Sequence, residues 1–191
     1  AYYPFNGNAN DESGNGNDGI LRGGPNFLER DDETAISLDG IDDHIVVENN
    51  FGANLPLTWS GWVRAKDLKR GYLLFSLQDL GTTRWTPLLD IGINYIGFGW
   101  GAYVRANFNN WNEWVHILGT MDEGGSIKIY QNGELTAQTS GNSVTQRLSS
   151  FVIGGYEGTK VFAPVDLDNV RIYNRALSEA EVATLYAAES E

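Results

Sequence analysis

The chain contains no cysteine. Disulfides, thiolate metal sites and a cysteine nucleophile are therefore excluded, while the redox compartment is left open. Histidine is nearly as scarce. His44 and His116 are the only two, too few for a histidine-rich zinc site within one chain. Basic residues are in the minority, 13 against 25 acidic, for a formal net charge of −12. A field of that sign repels phosphate backbones and anionic bilayer surfaces, so nucleic acid and membrane insertion are not expected. No apolar run approaches the roughly 20 residues that span a bilayer. No signal peptide is present, and the opening at Ala1 is that expected of a mature or excised domain.

What is present is a folding composition. Apolar residues make up 41% and charged residues 20% of 191 residues, which suits one globular domain with a sizeable core, spanning residues 1–191. Short runs of alternating apolar residues recur between glycines, the signature of an all-β sandwich or barrel. Strands are expected at 35–38 and 44–48, joined as a hairpin by the Asp39–Asp43 turn. Further strands are expected at 57–65, 72–77, 88–93, 114–119, 127–130, 151–153 and 170–173. Asn132-Gly133 predicts a tight hairpin, because both residues tolerate positive φ. One helix is expected near the end: Ser178 and Glu181 form a capping box, and Val182, Leu185 and Tyr186 recur at helical spacing. The Asn- and Gly-rich segment 6–19 is a long loop, of a length that is usually functional or held by something.

Several motifs occur in one order along nearly the whole chain. They are Tyr3-Pro4-Phe5-Asn6-Gly7 with Asp11-Glu12-Ser13-Gly14-Asn15-Gly16-Asn17-Asp18-Gly19; Leu38-Asp39-Gly40-Ile41-Asp42-Asp43-His44-Ile45; Leu57-Thr58-Trp59-Ser60-Gly61-Trp62-Val63; Trp114-Val115-His116-Ile117; Tyr130-Gln131-Asn132-Gly133; and Asp168-Asn169-Val170-Arg171-Ile172-Tyr173-Asn174-Arg175-Ala176-Leu177-Ser178. Together they resemble the laminin G-like, concanavalin A-like jelly-roll domains of bacterial extracellular proteins. Asn169 departs from the pattern, where a second acidic residue is common, as does the aromatic-rich stretch 72–111. The resemblance implies two packed antiparallel sheets and one short C-terminal helix. It implies that residues 2–5 pair beside 170–175, bringing the 6–19 loop near Asp166 and Asp168. It also implies a secreted or cell-surface location, attached to other domains of a larger parent chain.

Calcium prefers six to eight oxygen ligands, and the resemblance implies a Ca2+ site at Asp11, Asn17 and Asp168, with Asp18 alongside. The alternative is that the Asx and Gly residues of this loop simply make turns. Asp39, Asp42 and Asp43 form a second acidic group that serves either a cation or a solvated turn.

Aromatic residues give the second constellation. Trp59, Trp62 and Trp114 occupy family strand positions and are read as core. Trp85 and Trp111 lie among polar loop residues and are candidates for stacking on a sugar. In 93–108, Ile96, Phe98, Trp100, Ala102 and Val104 share one parity and are expected to face the core. Tyr95, Gly97, Gly99, Gly101 and Tyr103 share the other. An unbroken strand there makes a trough with tyrosine walls; a hairpin breaks it at a glycine. Tyr72, Arg84 and Arg105 are candidate polar neighbours. The expected ligand-binding set is Tyr72, Arg84, Trp85, Tyr95, Tyr103 and Trp111.

No pair of carboxylates in an E-x-D-x-x-E pattern is present, and neither histidine stands near a recognisable nucleophile. The sequence is therefore read as a non-catalytic, calcium-stabilised, lectin-like module whose partner is a polysaccharide or other glycan. The alternatives are a protein-binding or spacer domain of an adhesin, and a glycan-cleaving enzyme.

Overall fold

The computed structural model describes residues 1–48, 56–78, 85–100, 102–110, 112–141, 150–156 and 161–190, with the backbone only of residues 78, 85–88, 100 and 102. The first strands are β1 (Tyr2–Tyr3), β2 (Ile20–Arg22), β3 (Asn26–Arg30), β4 (Glu33–Ser37) and β5 (His44–Val47). Next come β6 (Leu57–Ala65), β7 (Tyr72–Gln78), β8 (Trp85–Gly92), β9 (Tyr95–Trp100) and β10 (Ala102–Asn107). Then follow β11 (Trp114–Met121), β12 (Ser126–Gln131), β13 (Glu134–Ser140), β14 (Ser150–Ile153), β15 (Val165–Tyr173) and the helix α1 (Glu179–Glu189).

The strands form two antiparallel sheets. One runs β13-β12-β11-β6-β15-β4-β3, with β1 added beside β15; the other runs β10-β9-β8-β7-β14-β5-β2. This is the expected jelly-roll sandwich. The first strand joins the last as expected, with Tyr2 opposite Arg171 and Tyr3 opposite Val170.

Period-two alternation explains how each strand contributes to the core. In β6, Leu57, Trp59, Val63 and Ala65 point between the sheets and join the main apolar cluster. Phe98 of β9 lies against Gly119 of β11, where a Cβ would stand 2.6 Å from its ring. A side chain at 119 would push the two sheets apart. Asn132 and Gly133 have φ of +50° and +78° between Gln131 and Glu134, which pair directly. That is the two-residue hairpin their sequence predicts.

The 39–43 segment departs from expectation. β4 and β5 lie in different sheets, so the segment is a corner between layers and not a hairpin. The buried residues on both sides, Ala35, Ile36, Leu38 and Ile45 to Val47, are better covered by two layers than by one two-stranded ribbon. Gly40 makes the corner at φ +77°, close against Pro164.

The helix begins as predicted, with Ser178 and Glu181 forming a capping box. Leu177 and Val182 pack with Leu118 and Tyr130 on the outer face of the larger sheet. No helix is long and apolar enough to cross a membrane among the described residues.

Candidate functional site

The smaller sheet carries a polar-aromatic cluster on the outer side of β8, β9 and β10. The register sets Asp90 opposite Gly97, and Arg105 opposite Gly97 on the other side. Ile96 and Phe98 are fully buried, so Tyr95, Gly97 and Gly99 face outward, as their parity predicts. The segment is a hairpin, β9 turning into β10, and not one unbroken strand.

The glycines of this face make room for the protein's own tyrosines. A Cβ on Gly97 would collide with the Tyr103 hydroxyl, and a Cβ on Gly92 with the Tyr95 ring. Tyr103 crosses Gly97 and donates its hydroxyl to the Asp90 carboxylate. The Tyr95 phenol also favours the charged form of Asp90. The Arg105 guanidinium lies 4.2 Å from the Tyr95 ring centre and 5.4 Å from that of Tyr103. Burial pushes the Asp90 carboxyl up, although the two phenols and Arg105 oppose the shift. Tyr103 remains 41% exposed. The result is a surface with one exposed and one half-buried tyrosine ring, a carboxylate and a guanidinium. Asp90 escaped the sequence reading because it stands alone in an apolar strand; only the strand register brings it to the tyrosines.

Tyr72 does not join this cluster. It sits opposite Ile91 in the inter-sheet core, because a register shift between Leu73 and Phe75 turns both Tyr72 and Phe75 inward. Arg84 and Trp111 lie outside the described residues, and of Trp85 only the backbone, at the start of β8, is described.

The structure brings three of the four expected calcium ligands together. Asp11 Oδ1 accepts from the amides of Tyr2 at 2.9 Å and Ser13 at 3.0 Å. Its Oδ2 accepts from the Asn17 amide at 3.0 Å and side chain at 2.9 Å. Asp18 Oδ1 accepts from the Asp11 amide at 2.8 Å. Burial would raise the Asp11 pKa, but the hydrogen bonds from Ser13, Tyr2 and Asn17 outweigh it and hold the carboxyl well below its usual range. A carboxylate offers about four lone-pair positions, and N–H donors occupy them all. The fourth residue, Asp168, is paired elsewhere, with Arg30 Nη1 at 2.5 Å. Asp166 is likewise held by Arg64 at 2.8 Å and Lys66 at 2.6 Å. These four residues do not fit one ion in this arrangement; Asp11 closes the loop with protein donors.

A carboxylate cluster exists instead at the sheet corner, where Asp39, Asp42 and Asp43 place oxygens within 4.8 Å of one another. Burial raises the pKa of Asp43, and the charges of Asp39 and Asp42 add to the rise against a hydrogen bond from the Asp39 amide.

Two of the three tryptophans read as core take another place. Trp59 is fully buried between the sheets. Trp62 pairs with His116, and Trp114 with Arg64, on the outer face of the larger sheet. There Arg30 lies 4.3 Å from the Trp62 ring centre and 5.2 Å from that of Trp114. Trp62 is 7% exposed because Arg30 and Tyr186 of the helix cover it. A buried strand residue looks the same in sequence whether a second sheet or a helix covers it.

Solved structures give the same fold. Domain 4 of AbnA, an extracellular arabinanase from Geobacillus stearothermophilus solved with arabinotriose, aligns with a TM-score of 0.78 at 20% identity over 97% of each chain. The botulinum neurotoxin type G receptor-binding domain aligns at 0.75 and 18% identity, over 98% of this chain and 50% of that one. A Trypanosoma rangeli sialidase in complex with the inhibitor DANA aligns at 0.67 and 22% identity, over 84% of this chain and 28% of that one. No curated protein matches the chain significantly. A family model matches residues 39–183, most of the chain, and with the two-sheet topology above it establishes that this chain belongs to the concanavalin A-like lectin/glucanases superfamily.

Proposed function

We propose that the chain is a non-catalytic carbohydrate-binding module of a secreted or cell-surface protein, binding a glycan on the outer face of β8, β9 and β10. The observation that carries this reading is the Tyr95–Asp90–Tyr103 cluster with Arg105 across it. The exposed Tyr103 ring offers an apolar face to sugar C–H groups, while the carboxylate and guanidinium match hydroxyls. The likeness to a domain solved with arabinotriose supports the same class of ligand. Glycoside hydrolysis usually needs two carboxylates flanking the bond, and the described part of this cluster has one, Asp90.

Calcium enters the reading as a structural ion at the sheet corner. Asp39, Asp42 and Asp43 would hold it, relieving the repulsion between their charges and fixing the corner. A melting temperature raised by millimolar calcium in the native chain, but not in Asp43→Asn, tests that assignment.

The glycan reading is tested by retention on a panel of plant, algal and microbial polysaccharides. Retention on one polymer class, lost in a Tyr95→Ala/Tyr103→Ala double variant, is the expected result. No retention by the folded protein would overturn it. The likeness to a toxin receptor-binding domain favours a receptor-binding module as the second reading.

A further inference from the structure

A cavity of about 700 Å³ opens on the outer face of the larger sheet, between the end of α1 and the β3–β4 turn. Its walls include Tyr2, Trp62, Trp114 and Tyr186, together with Arg30 and Glu189. The space is within the range of small-molecule pockets and far larger than an ion requires.

Three observations mark it as a built site. First, Asn169 stands at its wall with φ +49°, in the register shift of β15 between Asp168 and Arg171. A non-glycine residue there is strained, and bulges of this kind re-aim side chains. The strain turns the Asn169 amide so that its oxygen accepts from the Tyr2 hydroxyl at 2.6 Å and its nitrogen donates to Glu33 at 3.0 Å. Second, charged side chains are buried together at the wall. Arg30 Nε and Arg171 Nη1 make no hydrogen bond among the described residues, while the Glu189 carboxylate lies 3.1 Å from Arg171 and 3.5 Å from His116 Nε2. The Glu189 side chain is only 5% exposed, and that of Arg30 9%. Third, the charges inside are matched. Asp168 balances Arg30, and Glu189 lies 3.1 Å from Arg171. Asp31, Asp32 and Glu33 stay on the rim.

The pattern selects a ligand. An anion meets a carboxylate rim on a chain of net charge −12. A cation finds the inner carboxylates already paired with guanidinium groups. A neutral polyol meets neither barrier, because each hydroxyl both donates and accepts, and its C–H groups suit the half-buried rings of Trp114 and Tyr186. We propose that this cavity is a second saccharide pocket, taking the end of a neutral oligosaccharide. This inference rests on the carbohydrate reading above and adds to it a site on the opposite sheet.

The test is an NMR titration of the intact ¹⁵N-labelled chain with arabinotriose, xylotriose, cellotriose and maltotriose, with trigalacturonate as the anionic probe. One neutral trisaccharide is expected to shift the Trp62 and Trp114 indole signals saturably, in the native chain and in Tyr95→Ala/Tyr103→Ala. Ala188→Trp adds bulk at an exposed position on the cavity wall, and it should weaken that binding at least tenfold while leaving amide dispersion intact. Trp114→Ala should do the same. Shifts confined to β9 and β10, unaffected by Ala188→Trp, would overturn the cavity and leave the tyrosine site standing. Unchanged indole shifts in the double tyrosine variant, with no β9–β10 response, would overturn the tyrosine site and leave the cavity. Equal or tighter binding of trigalacturonate would overturn the neutral class. No response to any probe would overturn both sites.

Discussion

Arg30 and Asp168, 138 residues apart in sequence, meet in a buried ion pair with Nη1 and Oδ2 2.5 Å apart. The pair fastens the β3–β4 ribbon to the closing strand β15, and it sets Arg30 beside Trp62. Removing one partner leaves the other buried and uncompensated, at a cost of about 3–5 kcal/mol. Asp168→Ala is expected to lower the unfolding free energy by that amount, read as a lower urea midpoint with an unchanged m-value. An Arg30→Met/Asp168→Leu double variant should recover much of the loss. A single variant within about 1 kcal/mol of the native chain would show that the pair carries no such burden.

Gly97 is the seat of Tyr103. Gly97→Ala should displace the phenol from Asp90, and because the added Cβ would also stand 2.5 Å from the Asp90 carboxylate, both side chains must shift at a cost of about 1–3 kcal/mol. Burial and the hydrogen-bonded Asp90 raise the Tyr103 pKa, against the pull of Arg105. In the variant, ¹³C-tyrosine NMR should find that phenol back near an ordinary value of about 10. A Tyr103 titration unmoved by the substitution would contradict the placement.

Asp11 ties the 6–19 loop to β1. Because its folded pKa lies below the unfolded one, its contribution is complete above an unfolded pKa of about 4 and is lost as pH falls through the folded value. Asp11→Asn is expected to lose about 1–3 kcal/mol at neutral pH. Its disadvantage should shrink in acid, read from denaturation midpoints between pH 7 and pH 3. The loss at neutral pH should not depend on calcium.

His116 is fully buried beneath the helix, with Nε2 3.0 Å from the Ser60 hydroxyl. Burial, and then the charges of Arg171 and Arg30, lower its pKa to about 4. The unfolded chain therefore binds the extra proton between about pH 6.5 and 4, and stability contributed by neutral His116 declines as pH falls through that window. The imidazole resonances of His116 should stay constant from pH 8 to 5.5 and move only near 4. Titration near 6.5 would place the ring in solvent.

Local signals carried much of the fold. Alternation marked Leu57–Ala65 as a strand, and Asn132-Gly133 and Ser178 with Glu181 marked a hairpin and a helix start. Each depends on neighbours within a few residues, so the sequence states it directly. The loop residues Asp11, Asn17 and Asp18 converge for the same reason, lying within one turn-rich segment.

Tertiary structure decided what those residues face. The apolar pattern around 39–43 fits a hairpin or a corner equally well, and only the second sheet makes it a corner. A register shift at Leu73 to Phe75 sent Tyr72 into the core, and the helix laid over β6 covered Trp62 on the outer side. Asp168 found Arg30, and Asp90 found Tyr95 and Tyr103, through strand order. The sequence determined most of the strands, the Asn132-Gly133 turn and the helix cap, because these are set by short-range sterics and periodicity. The partners of its charged and aromatic residues were decided by sheet topology, because pairing energies act between atoms that only folding brings together.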